Sequence, residues 1–156
     1  MTIATARVLV CSVVLLGAQV PARPLHAQIG VGTWVRTSTD SMLPMTMTVE
    51  ACCNGGRRLI YHFEINGTET ILTVESRFDG SDAEVLIAGK PSGETMGITR
   101  IDDHHTATVV KLNGKAFGTS DATLSADGKV LTVINDFSSS AGGQSVGKST
   151  ETWVRK

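Results

Sequence analysis

The chain has 156 residues, with 14 Lys and Arg against 15 Asp and Glu, and a formal net charge of −1. This length corresponds to one ordinary domain, and a charge so close to balance excludes an electrostatic attraction to nucleic acid. We therefore expect a single domain and no nucleic-acid partner.

Residues 1–27 have the layout of a signal peptide. Arg7 supplies a basic start, an apolar stretch continues to Val20, and Ala27 is a small residue at the expected cleavage position, with Ala22 as the alternative. The apolar stretch is shorter than the roughly 20 residues that a membrane-spanning helix needs. We expect cleavage, no membrane span, and export to the periplasm or the extracellular space.

The remaining residues, 28–156, form the predicted mature domain. Without the leader, which contains two arginines and no acid, 12 basic residues face 15 acidic ones, a formal charge of −3. Short alternating runs rich in Thr, Val and Ile, separated by Gly, Asn and Asp, are typical of β-strands. The predicted strands are residues 33–39, 45–52, 57–65, 68–78, 83–88, 94–101, 106–112, 116–124, 130–137 and 149–155.

The segments between these strands predict hairpins, which would pair each strand with its neighbour in the chain. Four dipeptides of the kind that accepts positive φ angles lie between strands: Asn66-Gly67, Asp79-Gly80, Asn113-Gly114 and Asp127-Gly128. Residues 53–56 and 90–93 predict further reversals, and residues 138–143, rich in Ser and Gly, predict a mobile loop.

A run of consecutive hairpins predicts an all-β fold, an antiparallel up-and-down meander. It can close on itself as a barrel or split into two stacked sheets as a β-sandwich. Closure pairs both edge strands without a long crossover, so we favour the barrel over the sandwich.

Three motifs resemble a known family. Gly32-Thr33-Trp34 opens the first strand as Gly-x-Trp opens the first strand of lipocalins and related calycin barrels, residues 125–129 form a turn around Asp-Gly-Lys, and Trp153 lies in the closing strand. The chain is similar to exported bacterial lipocalin-like proteins of unassigned function. This resemblance implies a lipocalin-like barrel and a role in carrying small molecules. Independently of it, we expect Trp34 to fill the barrel floor under the cation of Arg155.

The two mature cysteines, Cys52 and Cys53, are adjacent. In an extended strand their side chains would point to opposite faces, so we expect two partly buried thiols. A vicinal disulfide at the following turn and an intermolecular bond stay open as alternatives.

The sequence contains no catalytic signature, so we expect that the protein is not an enzyme. The sequence contains no Gly-x-Ser-x-Gly elbow, and its Cys, His and acidic residues do not define a triad. His104 and His105 with Asp102 and Asp103 could offer metal ligands, but this run also makes an ordinary polar turn, which we favour. We predict no metal and no cofactor.

The barrel interior is the candidate ligand site. Its predicted lining consists of apolar side chains on the inward faces of strands: Met45, Met47, Tyr61, Phe63, Leu86, Ile98 and Val109. They would bind a small hydrophobic molecule or pack into a solid core. The first hypothesis is therefore a hydrophobic-ligand carrier. The alternatives are an envelope or secreted protein-interaction module with a solid core, and an uncharacterised enzyme.

Overall fold

The computed structural model describes residues 29–37, 44–140 and 146–156. The predicted leader lies outside the described residues, as do positions 141–143 of the predicted mobile loop. Ten strands make up the described part, in the same order as the sequence predicts: β1 (Gly32–Arg36), β2 (Thr46–Cys52), β3 (Gly56–Ile65), β4 (Thr68–Ser76), β5 (Asp79–Ile87), β6 (Lys90–Arg100), β7 (His105–Leu112), β8 (Lys115–Leu124), β9 (Val130–Phe137) and β10 (Gly147–Arg155).

The strands form one closed antiparallel barrel in up-and-down order. Each strand pairs with its neighbours in the chain, and β1 pairs with β10, where Trp34 lies opposite Arg155 and Arg36 lies opposite Trp153. The predicted fold class is confirmed, and the sandwich alternative is wrong. Closure leaves the first and last strands no open edge, because each uses its backbone groups in two ladders.

Two of the predicted hairpins have the expected geometry. Asn66-Gly67 joins β3 to β4 with φ angles of 51° and 76°, and Asn113-Gly114 joins β7 to β8 with φ angles of 49° and 79°. Positive φ at both central positions matches the right-handed twist of the flanking strands. Ser125 closes the turn before β9, since its carbonyl accepts a 2.9 Å hydrogen bond from the Gly128 amide.

Two predicted reversals are displaced along the chain. Asp79-Gly80 lies inside β5, whose ladder with β6 is irregular between Asp79 and Asp82. Residues 90–93 lie inside β6, and the β5–β6 turn is Ala88-Gly89, with φ angles of 49° and 76°. Alanine rarely adopts positive φ, so the sequence pattern favoured the Pro and Gly of the following segment instead.

The middle of the barrel is filled by apolar side chains. The main cluster contains Trp34 and Trp153 from the closing strands, together with Val49, Leu59, Val74, Val85 and Leu131 among others. Val110, Phe117 and Phe137 form a second, smaller cluster.

The two ends of the barrel are named from its first strand. We call the end at which β1 begins the proximal end, and the end at which β1 finishes the distal end.

Candidate functional site

Five of the predicted lining residues lie where they can face the interior or its rim. Met47 and Ile98 are buried in the main core cluster, and half-buried Met45 and Tyr61 pack against it. Phe63 is also half-buried. The first four side chains take part in the packed middle of the barrel, whereas Phe63 lies further along β3, outside the core clusters.

The predicted interior position is wrong for Leu86 and Val109. Val85 and Val110 are buried, while Val109 is 39% exposed and Leu86 is only partly buried. Adjacent residues of a strand point to opposite faces, so Leu86 and Val109 lie on the outer surface. In each case two consecutive residues are apolar, so the alternating pattern allows either of them to face inward. The inward residue is the neighbour of the predicted one, Val85 or Val110.

Trp34 and Arg155 adopt the expected arrangement at the proximal end. The guanidinium carbon of Arg155 lies 6.0 Å from the centroid of the Trp34 ring, within the range of a cation–π contact. Arg155 also donates a hydrogen bond of 2.5 Å to the carbonyl of Val31. The indole nitrogen of the fully buried Trp34 donates to the carbonyl of Gly30 at 3.4 Å. This cluster ties the segment before β1 to the end of β10.

A second charged cluster lies inside the barrel around Trp153. Arg36 and Glu151 approach to 3.4 Å with side chains only 4% and 13% exposed. The Trp153 indole donates to the Glu151 carboxylate at 3.1 Å, and its ring also contacts Arg36. Burial, and secondarily the charge of Glu151, raises the pKa of the Tyr61 hydroxyl far above its ordinary value. Tyr61 is thus a neutral hydroxyl throughout the physiological range.

A cavity of about 290 Å³ opens at the proximal end. Its wall is built from three chain reversals and the segment before β1, and it includes Arg57, Arg77, Arg100, Phe78 and Ile29. Arg57 lies at the start of β3, Arg77 and Phe78 lie between β4 and β5, and Arg100 ends β6. We call this the arginine cavity. It was not predicted, because its three cations are far apart in sequence.

The arginines of the cavity are held in place by neighbouring groups. Arg57 donates to the carbonyl of Gly56 at 2.8 Å, and Arg77 lies 3.1 Å from the Asp79 carboxylate. Arg100 pairs with Asp103. Hydrogen bonds from Ser81, and to a smaller extent the charge of Arg77, hold the pKa of Asp79 below its ordinary value. The cavity therefore presents oriented guanidinium groups beside an aromatic ring, together with the carboxylates of Asp102 and Asp103.

The predicted His–Asp run lies partly along this cavity, but its side chains have separate partners. The His104 ring nitrogen lies 3.2 Å from the Leu124 carbonyl, and the His105 ring nitrogen lies 3.4 Å from Asp121. The Asp102 carboxylate accepts from the His104 amide at 2.7 Å. The run thus forms a polar turn with its own hydrogen bonds, and its four side chains do not converge on one point.

The two cysteines form a vicinal disulfide at the corner after β2, where the sequence favoured free thiols. Cys52 has extended backbone angles, whereas Cys53 and Asn54 have φ angles of 52° and 53°. This break in the strand turns both sulfurs to the same side, which a continuous strand could not do. Gly55 of the same corner contributes to the wall of the arginine cavity.

Comparison with protein-family models, curated proteins and solved structures finds no match for the chain. Among the residues that the structure describes, no helix is long and apolar enough to cross a membrane.

Proposed function

We propose that this protein is an exported, non-catalytic, lipocalin-like barrel that binds a small organic anion with an apolar part in the arginine cavity. The predicted leader motivates export, and the barrel with its opening Gly32-Thr33-Trp34 motivates the lipocalin-like assignment. The observation that carries the binding role is the grouping of three arginines, Arg57, Arg77 and Arg100, around a cavity that also includes Phe78. They outnumber the two carboxylates of the wall, Asp102 and Asp103, so the lining keeps an excess of positive charge.

The size and chemistry of the cavity support a ligand of this class. Ligand pockets occupy about 300–1,000 Å³, so a cavity of about 290 Å³ suits a small molecule. A guanidinium group matches the geometry of a carboxylate or phosphate through two parallel N–H donors. Phe78 and Ile29 offer apolar contact to the rest of the ligand. The packed middle of the barrel favours this rim position over the purely hydrophobic interior ligand expected from sequence.

Calorimetric titration with benzoate tests the proposal, with benzamide as a neutral molecule of nearly the same shape. We expect benzoate to bind and benzamide to bind at least about tenfold more weakly, because only the carboxylate makes charge-assisted hydrogen bonds. Equal binding of the two compounds, or no binding of either, contradicts an anion site in this cavity.

Substitutions then locate the site. Arg77→Met and Arg100→Met each remove one guanidinium from the wall, and we expect each to weaken benzoate binding about tenfold. Arg58→Met is the matched control, because Arg58 follows Arg57 on the same strand but pairs with Glu75 outside the cavity. If Arg58→Met weakens binding as much as Arg100→Met does, the arginine cavity is not the binding site.

A second candidate, a protein-interaction module, is favoured by the packed core, in which Trp34, Val74 and Val85 are fully buried. Such a module needs no internal ligand and would contact its partner through the surface. The two candidates differ in the benzoate titration, because only the binding barrel is expected to give a saturable signal that depends on Arg77 and Arg100.

A further inference from the structure

The disulfide corner places three potential metal ligands together on the barrel surface. The Sγ atoms of Cys52 and Cys53 and one carboxylate oxygen of Glu75 all lie within 4.8 Å of one another. Both cysteines are half-buried, and Glu75 is exposed. Two thiolates and a carboxylate form a donor set that Zn²⁺ accepts in proteins.

The Glu75 carboxylate is oriented toward the sulfurs by a neighbouring cation. Its Oε1 accepts from Arg58 at 2.7 Å and 2.6 Å, while its Oε2 lies 3.7 Å from the Sγ of Cys53. Arg58 therefore occupies one oxygen and leaves the other facing the cysteines. An outer group that orients a ligating carboxylate in this way is a regular feature of metal sites.

The backbone also holds the corner against the strand that carries Glu75. The Gly56 amide donates to the Cys53 carbonyl and closes the turn after the cysteines. A Cβ atom at Gly56 would lie only 2.3 Å from the carbonyl oxygen of Ser76, the last residue of β4. The cysteine turn and the end of β4 thus pack backbone to backbone, which fixes the separation between the sulfurs and Glu75.

We propose that reduction of the Cys52–Cys53 disulfide opens a site for one thiophilic divalent cation of the Zn²⁺ class, bound by both sulfurs and Glu75. A dithiol or phosphine reductant supplies two electrons and becomes oxidised, the S–S bond breaks, and each sulfur takes up one proton. The cation then replaces these two protons, which pass to solvent, and the fourth coordination position stays open to water. In the oxidised protein the S–S bond uses both sulfurs, so the site is closed.

Titration with Co²⁺, a coloured substitute for Zn²⁺, tests this inference on the full mature protein. One sample is reduced with a phosphine, which is removed under nitrogen, and the other is left oxidised. We expect the reduced sample to bind one equivalent of Co²⁺ with thiolate-to-metal charge-transfer absorption, and the oxidised sample to show none. The proposal is overturned by absence of that absorption in the reduced protein, or by loss of the β-sheet circular dichroism on reduction.

Two variants assign the ligands. Cys53→Ser is expected to abolish stoichiometric Co²⁺ binding, because only one thiolate remains. Glu75→Gln is expected to weaken binding at least about tenfold, since loss of even an outer group that only orients a ligand weakens metal binding about 10–100-fold. Glu64→Gln is the matched control, because Glu64 is an exposed carboxylate at the distal end of β3. Unchanged affinity in Glu75→Gln overturns the three-ligand site. The outcome does not depend on benzoate binding, so the two proposals fail or succeed separately.

Discussion

Gly56 is the most informative single position for the proximal end, because its backbone contacts are unusually close. Its φ angle of −78° is accessible to any residue, so a side chain there meets no dihedral strain. The obstacle is steric: an added Cβ would lie 2.3 Å from the Ser76 oxygen and 3.0 Å from the Arg77 Cα. Both atoms belong to the backbone and cannot rotate away.

The cost of Gly56→Ala follows from the displacement that it requires. An ordinary Cβ contact begins at 3.4 Å, so the start of β3 and the end of β4 must separate by roughly 1 Å. Overpacking of this kind costs about 1–3 kcal/mol, a large share of a typical total stability of about 5–15 kcal/mol. The same movement displaces Arg77 and shifts Glu75 relative to the cysteines.

Urea unfolding of variants at Gly56 and Gly55 measures this effect. Gly55 has a φ angle of 98° and no atom within 4 Å of an added Cβ, so substitutions there carry backbone strain without crowding. We expect the loss in unfolding free energy to grow from Ala to Leu at Gly56, but to be nearly equal for Ala and Leu at Gly55. A Gly56→Ala protein within about 0.5 kcal/mol of wild type would refute the close approach of the two strands.

Three further predictions concern the core, a buried carboxyl and a turn. Trp34→Ala should lower the unfolding free energy by about 3–5 kcal/mol in urea, because it empties a fully buried site; a loss below about 1 kcal/mol would contradict that burial. Burial raises the pKa of Glu94, so the folded state binds this proton more tightly than the unfolded state does, and the unfolding free energy falls as pH rises above the ordinary pKa of a glutamate. Glu94→Gln should therefore have a higher unfolding free energy than wild type at pH 7, and this difference should disappear near pH 3.5, where Glu94 is protonated in both states. An equal difference at both pH values would contradict burial of the charge as its cause. Ala88→Asn should raise the unfolding free energy in urea by about 0.5–1 kcal/mol, because it relieves an alanine at φ 49°, whereas Asn66→Ala at φ 51° should lower it by a similar amount; an effect of the same sign in both turns would show that φ is not the cause.

The fold was predictable because strand periodicity and turn chemistry agree along most of the chain. Asn66-Gly67 and Asn113-Gly114 determine where β3 and β7 end, and their short loops force neighbouring strands to pair. The prediction of turn position was wrong at Ala88-Gly89, because alanine lacks the polar side chain that normally identifies a positive-φ position. There the paired strands, and not the turn residues, determine the conformation.

Local patterns were less informative about which face a residue occupies and about the cysteines. In Val109-Val110 both residues are apolar, so alternation alone allows either one to face inward, and cross-strand packing puts Val110 inside. For Cys52 and Cys53 the prediction assumed a continuous strand. In the structure β2 ends at Cys52, because Cys53 has a positive φ angle. Cysteine is not a residue type that indicates positive φ, so the sequence did not predict this break.

The grouping of the arginines follows from topology and not from any local motif. In an up-and-down barrel successive connections alternate between the two ends, so the β2–β3, β4–β5 and β6–β7 connections must all lie at the proximal end. Arg57, Arg77 and Arg100 each lie within or next to one of these connections. Once the up-and-down order is known, counting the connections along the chain shows which loops lie at the same end of the barrel. Charged residues that are distant in sequence can then be placed around the same cavity. The middle of the barrel is packed, so the proposed binding site depends on the side chains that alternate connections bring to its proximal end.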